Sequence, residues 1–416
     1  MKTARLVFAL TLAALFALSL AARESSCIQC HGSLPGNFGA VVAQWKASIH
    51  NEAGVSCVDC HGGDNTAASP AAAMDPRKGF KGAPSPLDIP KLCGGCHADK
   101  TFMKKFNPSI RVDQLELYWT SKHGQLIEKG DGHAATCVSC HGAHKILKPG
   151  NPLSPVYPTH VADTCGKCHA DKALMDRYHL SSDVVAQYRK SVHAKALYVK
   201  GDLSAPTCND CHGNHGAIPP NLKSISFVCG TCHVINQQLY DAGPMKEPWE
   251  VLKYGQCIVC HGKHNIQHPS DALLDPAGNK SACKQCHDKG SKGYQVMAGM
   301  YQNIHSLDQA ISHAETDVDK ASSKGMLMDD ASLLLQEAHS SLMKSRVHIH
   351  TFNVSKVSAI TGKGMKDAKK ADTLAQKAFR ELQFRRKGLA VFFGLAALVA
   401  LLLWLKLRQM EKPKEP

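Results

Sequence analysis

No cysteine in this chain of 416 residues stands alone. All 18 fall into nine pairs spaced Cys-x-x-Cys, which leaves no odd thiol for an intermolecular bridge or a lone reactive site. No pair lacks a histidine directly after it, and none ends in lysine. From about Gly293 onward there is no cysteine at all, and no proline until Pro413. Residues 388–405 carry no charge. The chemistry of the cysteines is therefore confined to residues 27–287, and the remainder of the chain has a different character.

The pairs, each with its histidine, are Cys27, Cys30 and His31; Cys57, Cys60 and His61; Cys93, Cys96 and His97; Cys137, Cys140 and His141; and Cys165, Cys168 and His169. They continue with Cys208, Cys211 and His212; Cys229, Cys232 and His233; Cys257, Cys260 and His261; and Cys283, Cys286 and His287. Cys-x-x-Cys-His is the attachment motif of c-type haem: two thiols add across the vinyl groups and the next side chain reaches the iron. Disulfides, zinc ribbons and redox Cys-x-x-Cys sites do not require that histidine. Histidine makes up 24 of 416 residues, so nine such coincidences have a chance probability on the order of 10⁻¹¹. Nine covalently bound haem c groups are expected.

A net charge of +14 raises nucleic acid as a partner. Nine haems would bring roughly 18 propionate charges, which the Lys and Arg excess would neutralise. No nucleic-acid partner is expected.

The termini read as targeting and anchoring segments. Lys2 and Arg5 precede an apolar run, residues 6–18, and Ser19-Leu20-Ala21 ends in small residues, which fits a signal peptide cleaved after Ala21 or Ala22. An uncleaved anchor is the other reading, and both place the motifs outside the cytoplasm. Residues 388–405 are long enough for a transmembrane helix, flanked by Arg385, Arg386 and Lys387 on one side and Lys406 and Arg408 on the other. The expected order is signal peptide, residues 1–22; haem domain, 23–290; helical region, 291–384; transmembrane helix and short cytoplasmic tail, 385–416. The fold class expected is mainly α and irregular, with little regular structure around stacked haems, since roughly 30 residues per haem are too few for an ordinary apolar core.

A repeat is visible within the haem region. An aromatic residue, two residues, Ser, one residue and His recur from Trp45 to His50, Tyr118 to His123 and Tyr188 to His193. Each copy precedes a motif followed by glycine, and then comes a motif without it. The pairs begin at Cys57 and Cys93, Cys137 and Cys165, Cys208 and Cys229, and Cys257 and Cys283, with Cys27 ahead of them. In the fourth unit Tyr254 stands where the repeated histidine would be. Beyond Gly293, Ile304, Leu307, Ala310 and Ile311 suggest one helix face and Leu333, Leu334, Leu335 and Ala338 another. Lys324-Gly325 and Gly362-Lys363-Gly364 are the expected breaks.

The nine motif histidines are the expected proximal ligands. Six more are expected on the distal side: His50, His123 and His193 from the aromatic unit, and His144, His215 and His264, which recur three residues after a proximal histidine. The last three cannot easily reach their own haem and suit a neighbour. Asp64 replaces this residue in the first pair. Candidates for the other distal positions are His160, His268, His305, His313, His339, His348 and His350, with Met103, Met175 and Met245 as alternatives. His133 and His179 read as loop residues. Some multihaem reductases mark an open haem by a lysine in the motif, and none is present. That favours a conduit over an enzyme, although Tyr254 leaves room for an unfilled iron.

The chain resembles multihaem cytochromes c with a C-terminal membrane helix, including c subunits of bacterial cytochrome b/c-type quinol oxidoreductases. The resemblance is carried by Tyr118 to Gly124, the Cys-x-x-Cys-His-Gly-x-His units, His350-Thr351-Phe352, and the ending from Arg385 through Arg408. It implies a subunit in the bacterial inner membrane, its haem domain in the periplasm, working in anaerobic respiration. Electrons would come from menaquinol through a b-type cytochrome or other quinol-oxidising subunit and pass to periplasmic electron-carrier cytochromes. The sequence has no separate quinone motif. Gly388, Gly394, Ala396, Ala397 and Ala400 would allow close contact with partner helices, and the flanking cations would meet membrane lipid. The alternative is a reductase of a small nitrogen or sulfur oxyanion with one open haem.

Overall fold

The computed structural model describes residues 25–219 and 225–410, so the expected signal peptide lies outside the described residues. Two compact units emerge. One comprises residues 1–220 with 264–267, the other 221–263 with 268–416. Among the described residues every regular element is a helix.

In the first unit, capping decides where the short helices begin and end. Cys57–His61, Cys137–His141 and Cys208–His212 each follow a capping box: Ser56 with Asp59, Thr136 with Ser139, and Thr207 with Asp210. Each stops at a glycine with positive φ, 69° at Gly62, 81° at Gly142 and 79° at Gly213. A side chain at Gly62 would also collide with the Gly79 carbonyl. The glycine after these motifs is thus a helix stop. The partner motifs instead close longer helices, Ile89–His97 and Pro158–His169, which open on a proline and need no glycine.

The aromatic unit has an equally definite job. Trp45 Nε1 donates to the Val55 carbonyl at 3.0 Å, Tyr118 Oη to Ala135 at 2.9 Å and Tyr188 Oη to Pro206 at 2.9 Å. Each acceptor lies two residues before a motif's first cysteine. Ser48, Ser121 and Ser191 then cap the helices that carry His50, His123 and His193. The residue between serine and histidine reaches the next repeat: Ile49 N–H donates to Ile146 at 2.9 Å, Lys122 to Ala217 at 3.1 Å and Val192 to Ile266 at 2.8 Å. Those carbonyls sit two residues past His144, His215 and His264. Purely protein clusters here are small, such as Tyr118, Ile127 and Ala134, or Ala162, Tyr188 and Ala194.

The second unit holds a three-helix bundle, α1 (Lys292–Ser322), α2 (Asp329–His348) and α3 (Val354–Met410). On α1 the buried residues Met297, Met300, Ile304, Leu307, Ile311, Ala314 and Val318 alternate three and four apart, the spacing of a coiled-coil seam. On α3 the same alternation is built from small residues, Val357, Thr361, Gly364, Ala368, Ala371, Ala375 and Ala378, so the backbones approach closely. Each fully buried Ile or Leu on the seam contributes about 1.5–3 kcal/mol. Ahead of the bundle, Arg346 on α2 grips Asp271 through two hydrogen bonds of 3.0 and 2.7 Å.

Two expectations about this region need correction. Leu333 is 60% exposed, because the inward stripe of α2 runs through Ala331, Leu335, Ala338 and Leu342. The expected break at Gly362-Lys363-Gly364 is uninterrupted helix. Gly364 is there for packing: a Cβ would lie 2.7 Å from Ser341 Cβ and 3.0 Å from Leu307 Cδ2. The chain turns at Ile349–Thr351 instead, where Phe352 has φ 49°. The break at Lys324-Gly325 is present, with Gly325 at φ 80°. Beyond the bundle α3 runs on through residues 388–405 with its side chains exposed and is long and apolar enough to cross a membrane. Eighteen helical residues span about 27 Å.

Replacing Gly364 with valine should destabilise the bundle by about 1–3 kcal/mol, because the added atoms overpack a closed seam. Gly362→Ala, where a Cβ meets open space, should stabilise by about 0.5–1 kcal/mol. Thermal unfolding of both variants checks this; equal melting temperatures would refute the seam.

Candidate haem sites

Six motif histidines face a second histidine across a gap of nearly constant width. Ring centroids are 6.0 Å apart for His97 and His50, 6.2 Å for His61 and His144, and 6.1 Å for His169 and His123. They are 6.1 Å apart for His141 and His215, for His212 and His264, and for His261 and His350. Two imidazoles bound to one metal at about 2 Å each place their centroids about 6 Å apart. The residues fit an iron between each pair. In every pair the second histidine comes from outside the motif it faces.

The thiols alternate along the chain. First cysteines meet first cysteines: Cys27 interacts with Cys57, Cys93 with Cys137, Cys165 with Cys208 and Cys229 with Cys257. Across the members of a pair the second cysteine of one motif lies near both thiols of the next: Cys60 near Cys93 and Cys96, Cys140 near Cys165 and Cys168, and Cys260 near Cys283 and Cys286. Motifs that are neighbours in sequence are thus neighbours in space at these positions, with hydrogen-bonded thiols at Cys93 and Cys137, Cys165 and Cys208, and Cys229 and Cys257. A zinc site would need two thiols and a histidine converging on one point. Among the described residues, the one group of three or more ligand-type side chains that converges is His313, Asp317 and Asp372, with no cysteine.

Comparison with known proteins agrees with this chemistry. A cytochrome c3 family model matches residues 49–170, and a cytochrome c554 and c-prime model matches residues 13–62. The multiheme cytochrome MtrA of Shewanella baltica is 24% identical over 296 residues, 67% of this chain and 71% of that protein. This chain is a multihaem c-type cytochrome. The C-type polyheme cytochrome OmcB of two Geobacter sulfurreducens strains is 29% identical over 124 residues, 28% of this chain and 14% of that protein. No solved structure matches.

In this cytochrome burial favours the neutral form of nine of the twelve paired histidines. Burial lowers the pKa of His50, His97, His123, His141, His144, His169, His215, His261 and His350. The facing imidazole adds to the effect at several of them, His50 and His261 included. Neutral imidazole is the form that binds a metal. Backbone carbonyls orient several rings through Nδ1: His61 to Gly82 at 2.8 Å, His212 to Ile218 at 3.3 Å and His350 to Val347 at 2.8 Å. That leaves Nε2 for iron. Burial also raises the Cys260 thiol, up to about 11.

His350, one of several candidates in the helical region, is the one placed opposite a motif histidine. The turn at Ile349–Thr351 delivers it, and Thr351 Oγ1 locks that turn onto the His348 carbonyl at 2.7 Å. The others go elsewhere. His305 stacks on Tyr301, His339 meets Glu315 at 2.6 Å, and His313 lies 4.0 Å from Asp317. His348, His268 and His160 engage the carbonyls of Lys344, Pro269 and Ser154, while His133 and His179 are exposed. Met103 and Met175 are buried, but the motifs they follow already have a facing histidine. Met245 caps the helix Lys246–Val251. Of the expected site residues, His193 sits on the helix that Ser191 caps, and His233 opens the helix Val234–Asp241. His31 meets Phe38, and His287 lines a hollow of about 470 Å³ with Tyr294 and Lys284.

If each motif attaches its own haem, Cys137→Ser with Cys140→Ser should lower the intact mass of the holo-protein by one haem, leaving the remainder bound. An unchanged haem mass would remove that site from the set.

Proposed function

We propose that the chain is a membrane-anchored periplasmic electron-transfer subunit holding nine haems. It would draw electrons from the menaquinol pool through a b-type cytochrome or other quinol-oxidising partner and deliver them to periplasmic carrier cytochromes. The observation that carries this reading is the alternating chain-order contact of the motifs, combined with the facing histidines. When bound, haem supplies one-electron exchange at iron.

In this scheme the nine motif histidines hold iron from one side. His50, His144, His123, His215, His264 and His350 hold it from the other, opposite His97, His61, His169, His141, His212 and His261. His193, the third copy of the aromatic unit, is proposed as a further distal ligand. Where two rigid imidazoles hold one iron, coordination stays unchanged between oxidation states, which suits transfer over substrate chemistry. The alternating thiol contacts bring successive sites close at their edges, so no long gap interrupts the path at those steps.

The apolar end of α3 supports the membrane assignment. Gly388, Gly394, Ala396, Ala397 and Ala400 allow a partner helix to approach. Arg385 is engaged with Glu381, so Arg386 and Lys387 are the better placed to meet lipid phosphate.

Membranes carrying the full chain should show quinol-dependent reduction of the c-haem absorbance when given a menaquinol analogue. A chain ending at residue 384 should lose that reduction while dithionite still reduces all its haem. Equal quinol-driven rates in the two forms would contradict the proposal.

A further inference from the structure

The repeat passes its ligands backwards. His144, His215 and His264 each follow a glycine-ended motif by three residues, and each faces the histidine of the preceding glycine-ended motif: His61, His141 and His212. One repeat earlier, the residue in this position after His61 is Asp64, and the site it would serve is the one at Cys27. The backbone is already in place for that service. Ser26 donates from both N–H and Oγ to the Asn65 carbonyl, each at 2.9 Å, and Cys27 interacts with Cys57. What the position lacks is the imidazole.

Asp64 is also committed elsewhere. Its Oδ2 takes a 2.7 Å hydrogen bond from Lys78 Nζ, and its Oδ1 accepts from the Thr66 N–H at 2.9 Å and from Thr66 Oγ1 at 2.6 Å. The Lys78 ammonium holds its carboxyl well below the usual carboxylate range. Among the described residues His31 meets the Phe38 ring at 5.5 Å and no histidine. The residues outside the described set contain no histidine at all.

We propose that the site at Cys27, Cys30 and His31 is left open on its sixth side and takes a small neutral haem ligand of the carbon monoxide or nitric oxide type. The neighbours argue for a neutral ligand over an anion. The charge of Asp64, the residue in the ligand-donating register, is cancelled by Lys78. The inference rests on haem attachment at Cys27 and Cys30 and not on the quinol reading. His287 also meets no histidine among the described residues, so the test must isolate the first site.

The experiment compares three forms of the full-length, haem-loaded protein: wild type, Asp64→His, and Cys27→Ser with Cys30→Ser. Ferric high-spin signal is read by electron paramagnetic resonance and carbon monoxide uptake by titration of the reduced protein. Haem per chain comes from mass. Asp64→His should keep every haem, lose the high-spin signal of one site and bind one carbon monoxide fewer. The double cysteine variant should lose one haem and the same high-spin signal and carbon monoxide equivalent. If removing the first haem leaves both readouts unchanged, its iron is six-coordinate in the native chain and the proposal is overturned. If Asp64→His keeps all haems and full carbon monoxide uptake, the register argument fails.

Discussion

The haem-bearing segments are organised around one constraint: at six motif histidines a second imidazole stands about 6 Å away, the spacing that two ligands on one iron require. A five-residue motif helix cannot supply it, because its histidine and thiols already occupy one face of the cofactor. The second ligand must come from another segment, and that segment must be fastened to the first. The repeat solves both parts with the same few residues. The aromatic side chain pins the backbone ahead of a motif, the serine caps the helix carrying the repeat's histidine, and the residue between serine and histidine bonds to the stretch of chain just past the histidine of the next repeat. Consecutive repeats are thereby joined by backbone hydrogen bonds close to their repeated histidines, at Ile49 and Ile146, Lys122 and Ala217, and Val192 and Ile266.

The two ways of building an interior are visible side by side. In the bundle, side chains suffice: a seam of Met, Ile and Leu on α1 closes on a row of Thr, Gly and Ala on α3. In the first unit the protein clusters stay at three buried residues, which leaves the rest of an interior to be filled by the haems the motifs would bind. The tie between these two styles within the second unit is His350. A 3-10 turn at the top of the bundle places it opposite His261, the position that a histidine of the following repeat takes opposite His61, His141 and His212.

Much of this was legible in the residues, for identifiable reasons. The cofactor, the motif histidines and the repeat follow from spacing, because covalent attachment demands fixed intervals. That His144, His215 and His264 face histidines of other motifs could be anticipated, since a histidine three residues from a motif histidine shares its side. The partner of each was not legible, because it depends on how repeats dock. Nor could His350 be chosen over His305 or His313: all lie on helical segments, and only the turn forced by Phe352 distinguishes them. Gly364 was misread for a related reason. Glycine breaks helices by backbone freedom but also admits close neighbours, and the sequence does not say which use applies.

The cross-repeat donation of ligands is the central claim, and one variant tests it directly. His144→Ala should convert a single low-spin haem to high-spin. Combining it with Cys57→Ser and Cys60→Ser should abolish that new signal, because the affected iron belongs to the preceding repeat. If the signal survives that combination and disappears instead with Cys137→Ser and Cys140→Ser, the histidine serves its own motif and the account of the repeat is wrong.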